Sequence, residues 1–181
     1  ALLFSLLPGR IGAPLSVNSL TGDLEASYPA VKNSLKVLEL GYLAFSLAPW
    51  QKRLARAVRK ERKWYYLDWT RAGSPASRFE NWVAAELLQL TSFWKDHGFG
   101  RFELHYVRTR EGHETDFLVT REQAPWFLVE CKLGDTRIAA QHLSHARALG
   151  SIPLVQLVET DGVATQGPGN TWVCSAARFF A

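Results

Sequence analysis

The chain has 181 residues, 47% of them hydrophobic, and a formal net charge of +4. That balance excludes a disordered or fibrous chain and allows a buried core in one domain or two small ones. No apolar run reaches the ~18–20 residues of a membrane span, so no span is expected.

The opening "ALLFSLLPG" has no basic residue ahead of its apolar positions and reads as a helix rather than a signal peptide. The chain contains no methionine, so residue 1 is not a native start and an excised C-terminal fragment is expected. After this helix, residues up to 50 read as helix, turn, helix and an extended pair. Ser27 is placed to cap the second helix, with Pro29 in its first turn. Val31, Leu35 and Leu38 recur at helical spacing, while Lys32, Asn33 and Lys36 face outward. Gly41 ends the helix and "YLAFSLAPW" is strand-like. That order, over about residues 8–60, resembles a winged helix-turn-helix.

Next comes "QKRLARAVRKERKWYYLDW", with seven basic residues between Lys52 and Lys63 and four aromatics between Trp64 and Trp69. Charge is uneven: residues 1–73 carry 11 Lys and Arg against 5 Asp and Glu, and residues 74–181 carry 10 against 12. A polyanion surface in the front half is one reading, with Lys32, Lys36, Lys52, Arg53, Arg56, Arg59 and Lys60 contacting nucleic acid, DNA foremost. The other is a solvated cationic strand that touches only a neighbouring domain. Trp64 and Trp69 can stack on bases, although core packing is the safer reading.

Gly73, Ser74 and Pro75 interrupt the pattern and set the expected boundary, 1–73 against 74–181. Beyond it, "SPASRFE" reads as a helix start with Ser77 as cap and Glu80 three residues on. The helix should cover residues 77–97. Three strands follow, "FELHYVRTR", "HETDFLVTR" and "WFLVECKLG", then a helix over 136–149 and strands "PLVQLVE" and "TWVCSA". The fold class is α/β, an αβββαβ core with one more strand. Apolar residues on both faces of the middle strands predict a sheet covered on both sides. Cys131 and Cys174 sit in apolar strand-like runs and are expected to be reduced thiols of a cytoplasmic protein.

Glu130 and Lys132 lie two apart and share a face of their strand. With the preceding hairpin centred near Gln123, Asp116 stands opposite Glu130, whereas a one-residue bulge would turn Asp116 to the other face. Two carboxylates so close repel, which leaves three outcomes: a proton, neutralisation by Lys132, or a divalent cation. Hard oxygen donors suit Mg²⁺ or Mn²⁺, with Lys132 placed to orient an attacking water. An ordinary salt bridge on a half-exposed sheet is the plain alternative. Glu86 lies about 240° around the helix from Glu80 at ~100° per residue, so only one of the two can face Asp116. His142 and His145 lack partners at zinc spacing and read as a solvated helix face. No serine or cysteine arrangement supports acyl transfer.

The order of Glu80 in "RFENWVAAEL", Asp116 in "HETDFLV", and Glu130 with Lys132 in "VECKLG" resembles the PD-(D/E)xK nucleases of restriction-endonuclease-like fold. Thr115 stands where the name has proline. The resemblance implies metal ligands Glu80, Asp116 and Glu130, a catalytic set of Asp116, Glu130 and Lys132, and an assisting role for Gln141. Over nearly the whole chain, the sequence also resembles the C-terminal portion of predicted AAA+-type ATPases of bacteria and archaea. That implies an upstream P-loop module, through which alone ATP would enter, since no G-x-x-x-x-G-K-[ST] occurs in these residues. The expectation is a nucleic-acid-binding, Mg²⁺-dependent phosphodiesterase. Its alternatives are a catalytically silent regulatory or docking module of the ATPase, with a protein partner, and a plain DNA-binding domain.

Overall fold

A computed structural model describes residues 2–51 and 61–181. The expected contacts Lys52, Arg53, Arg56, Arg59 and Lys60 lie outside the described residues. Backbone packing divides the chain into two units, Ala1–Ala85 and Glu86–Ala181.

The first unit contains α1 (Leu2–Leu6), a 3₁₀ turn over Leu7–Arg10, β1 (Pro14–Leu15), α2 (Val17–Asp23), α3 (Tyr28–Leu40), β2 (Ala44–Leu47) and β3 (Arg62–Tyr66). The strands form an antiparallel sheet in the order β1-β3-β2. This is the winged-helix-like order read from the sequence. Ser27 caps α3 by accepting a 3.4 Å bond from the Ala30 N–H, and Pro29 lies in the first turn. Val31, Leu35 and Leu38 are buried while Lys32, Asn33 and Lys36 are exposed.

The end of the basic run departs from the expected cationic strand. Lys63 is 1% exposed, with its ammonium 3.4 Å from Glu80 Oε1. Arg62 donates from Nε to Ser46 Oγ at 2.7 Å and from Nη2 to the Ser46 carbonyl at 3.0 Å. A cation this deeply buried needs a carboxylate partner, and Glu80 supplies one.

Helix α4 (Pro75–Asp96) starts earlier than Ser77. Ser74 Oγ accepts from the Ser77 N–H at 3.1 Å, and Pro75 takes the first helical position, where its missing N–H costs nothing. The two packing units divide inside this helix, between Ala85 and Glu86. Its first half is fastened to β3: Asn81, fully buried, accepts from the Tyr66 N–H at 2.9 Å and donates to the Tyr66 carbonyl at 2.6 Å.

In the second unit come β4 (Phe102–Arg108), β5 (Glu114–Arg121), β6 (Ala124–Lys132), α5 (Ala140–Ala148), β7 (Leu154–Val158), β8 (Ala164–Gln166), β9 (Thr171–Ser175) and α6 (Ala176–Phe179). One sheet runs β4-β5-β6-β7-β9-β8. The β4-β5-β6 meander is antiparallel, and β6, β7 and β9 are parallel. The αβββαβ order is as expected, with β8 an added short edge. Consecutive burial of Phe117, Leu118 and Val119, and of all five residues of β7, marks a sheet covered on both faces. Helix α5 begins four residues later than the predicted 136. Asp135 Oδ1 instead accepts from the Arg137 N–H at 2.8 Å, a local turn that competes with helix.

Candidate carboxylate and histidine site

The β5–β6 hairpin decides whether the acidic residues meet. Its turn is two residues, Glu122 and Gln123, both at positive φ (50° and 65°) between the pair Arg121↔Ala124. Continued unbroken, that tight turn would misalign Asp116 and Glu130 by one residue. A register shift between Val119 and Thr120 corrects it, giving Phe117↔Val129 and Leu118↔Leu128. The bulge therefore restores the facing arrangement rather than destroying it.

Beyond Phe117 the two acidic residues grip each other's strands. Asp116 Oδ2 accepts from the Cys131 N–H at 3.0 Å, and Glu130 Oε2 accepts from the Asp116 N–H at 3.3 Å. Lys132 Nζ donates to Glu130 Oε1 at 2.6 Å. Glu130 is 4% exposed. Burial, and next the Asp116 charge, push its carboxyl up to about 8 against the pull of Lys132. Burial opposes the Lys132 cation, but the bond to Glu130 outweighs it and raises the ammonium.

Two histidines expected on a solvated face complete the cluster, and this corrects the sequence reading. His142 is 1% and His145 6% exposed. Both Nδ1 atoms lie 2.8 Å from the buried Thr115 hydroxyl, and His142 Nε2 lies 3.3 Å from Glu130 Oε1. Burial, and then the Lys132 cation, hold His142 down at about 4; burial also lowers His145. Their signal was present, since His142, His145 and Ala146 form one buried stripe on α5. It lacked large apolar side chains and so read as polar. Thr115, beside Asp116, carried no signal of its own.

Gln141 bridges α5 to the start of β5: its amide donates to the Glu114 carbonyl at 3.3 Å and its Oε1 lies 3.3 Å from His113 Nδ1. Glu80 belongs to the first unit, where its Oε1 accepts from the Tyr65 hydroxyl at 2.8 Å as well as from Lys63. Among the described residues, no group of three or more His, Cys, Asp or Glu side chains is spaced to hold a metal ion.

The second unit's own residues nonetheless fit a hard divalent ion. Asp116 and Glu130 supply oxygen donors, and a magnesium-like ion takes one or two carboxylates and keeps waters. Burial first, and then the Asp116 charge, raise Glu130, and a cation beside the two carboxylates would favour its ionised form. Its register partner on β7, Gln156, is fully buried, with Nε2 donating to the Asp135 carbonyl and Oε1 without a hydrogen-bond partner.

Lys32 and Lys36, in the first unit, line a groove of about 1000 Å³ along α3 together with Asn33 and Arg62. Glu39 and Glu61 share the lining, so the groove is mixed in sign. No helix among the described residues is long and apolar enough to cross a membrane.

Fold and site together define an α/β domain whose mixed sheet carries an acidic pair, a lysine and a buried histidine pair around its middle strands. The chain belongs to the family described as Domain of unknown function (DUF4143), whose model matches residues 77–176. Residues 1–70 match a second model, Domain of unknown function (DUF8612). No curated protein and no solved structure matches the chain.

Proposed function

We propose that the chain binds nucleic acid and hydrolyses phosphodiester bonds with Mg²⁺ or Mn²⁺, as a module of a larger AAA+-type ATPase. One observation carries this reading: two carboxylates and an ammonium converge at the β5–β6 pairing, with Glu130 buried and pushed up to about 8. Asp116 and Glu130 would hold the ion, which when bound supplies Lewis-acid polarisation of a phosphate oxygen. Lys132, half-exposed beside Glu130, is positioned to orient the attacking water and to offset negative charge gathering on the phosphate. The sheet beneath excludes water from Glu130, which strengthens each of these interactions. The exposed Lys32 and Lys36 of α3 would contact the backbone phosphates. The ligand set is drawn from the second unit alone; Glu80 as a further ligand, and the ATPase association, rest on the sequence resemblances.

A specific observation favours a second reading, a catalytically silent docking or regulatory module. Lys132 already closes on Glu130 at 2.6 Å, and a neutralised carboxylate has less need of an ion. Cleavage of end-labelled DNA and RNA with Mn²⁺ separates the two. The nuclease reading expects turnover that Lys132→Ala abolishes with the fold intact. Absence of turnover in the wild-type chain, or its survival in Lys132→Ala, would establish the silent module.

A further inference from the structure

We propose that His142 is a positioning residue of the carboxylate site, locked in one tautomer by a directed chain that runs His145, Thr115, His142, Glu130. The inference takes Glu130 as the site's central carboxylate and so rests on the reading above, but its geometry stands independently.

Thr115 is fully buried and its single hydroxyl lies 2.8 Å from Nδ1 of both histidines. A hydroxyl carries one hydrogen and can donate to only one of them; the other imidazole has to donate to it. The far end of the chain sets which. His142 Nε2 faces Glu130 Oε1 at 3.3 Å, and the same oxygen receives the Lys132 ammonium at 2.6 Å. The short ammonium contact marks Oε1 as the oxygen of the carboxyl that bears no hydrogen, any proton of Glu130 residing on Oε2, so Oε1 acts as an acceptor and His142 carries its hydrogen on Nε2. Its Nδ1 must then accept from Thr115, and His145 must donate from Nδ1 into Thr115. The hydrogen bonds from His145 Nδ1 through Thr115 and His142 to Glu130 then all run in one direction, which is how a second layer of hydrogen bonds fixes an imidazole's tautomer and orientation.

Other groups facing His142 leave this order intact. Gln141 Nε2 also stands 3.5 Å from His142 Nε2, but it gives an N–H to the Glu114 carbonyl at 3.3 Å, and the 3.3 Å contact to Glu130 Oε1 is the shorter claim on His142 Nε2. Asp116 and Lys132 act on His142 through their charges, and His113 acts on His145. The consequence for the site is geometric. Lys132 alone would draw Glu130 towards the half-exposed side of the strand. An uncharged N–H from His142 holds the carboxylate from the buried side without adding a positive charge that would compete with a metal ion.

The test is long-range ¹H–¹⁵N NMR of the full chain with ¹⁵N-labelled histidine, at pH 7 with chelator. His142 is expected as the Nε2–H tautomer and His145 as the Nδ1–H tautomer; the reverse assignment, or averaged signals for either ring, overturns the inference. Thr115→Val deletes the hydroxyl at constant shape, and Thr115→Ser restores it. Valine is expected to release His142 into a tautomer mixture and weaken Mn²⁺ binding by roughly tenfold or more, with serine rescuing both. Valine that leaves the tautomers unchanged overturns the chain, and the wild-type spectrum decides it even if valine fails to fold. Wild-type protein with the expected tautomers that binds no Mn²⁺ would uphold the chain while removing the metal reading under Proposed function.

Discussion

Glu130→Gln in the metal-free protein replaces the buried carboxyl by a neutral group of the same shape. The folded carboxyl is pushed from 4.5 up to about 8. Between those values the folded protein holds a proton that the unfolded chain has released, so stability falls as pH rises. Below 4.5 the group costs nothing, and above 8 the penalty is constant. From pH 6.5 to 8.0, at ~1.36 kcal/mol per unit and allowing for half-ionisation at the upper end, wild-type stability should drop by about 1.5 kcal/mol relative to the glutamine variant. The lowered His142 and His145 act in the opposite direction, since stability is lost as pH falls through their window. That contribution is common to both proteins and cancels in the difference. The assay is native-state hydrogen exchange of β5 and β6 amides in chelator, which reports the second unit directly. A wild-type-minus-variant difference that stays flat between pH 6.5 and 8.0 would refute the claim that Glu130 is held protonated by burial and by Asp116.

Phe117→Ala should cost about 3–5 kcal/mol, because Phe117 is fully buried beside the carboxylates and its loss leaves a cavity; a loss under ~1 kcal/mol in urea unfolding would mean the strand is not core. Glu80→Ala deprives the Tyr65 hydroxyl and the buried Lys63 of an acceptor. It should destabilise the first unit by about 1–3 kcal/mol, seen as faster amide exchange in β3, and unchanged exchange would contradict that role. Lys32→Glu combined with Lys36→Glu should weaken duplex DNA binding at every sequence and lower the salt slope by about 2. An unaltered slope would remove α3 from the interface.

The acidic pair was legible because a strand's period of two is rigid: Glu130 and Lys132 had to share a face, and only Asp116 lay within reach across a short hairpin. The register that joins them could not be derived so cleanly. A turn centred near Gln123 gives the right pairing for Asp116, but the structure reaches it through a tighter turn and a compensating bulge at Val119 and Thr120. Winged-helix order in the first unit followed from Ser27, Pro29 and the Val31, Leu35, Leu38 stripe, which are local signals. Burial of Lys63 was not legible, because composition counts a lysine as surface unless its carboxylate partner, seventeen residues away at Glu80, is known. The histidines were missed for the same reason: a polar side chain on a helix looks solvated until the hydroxyl that satisfies it is placed.

Anomalous diffraction from crystals soaked in Mn²⁺ tests the central claim most directly. The account predicts a single strong peak bonded to carboxylate oxygens of Asp116 and Glu130, with the Lys132 ammonium displaced from its 2.6 Å contact on Glu130 Oε1. No peak at this pair, with that contact unchanged at saturating Mn²⁺, would contradict it.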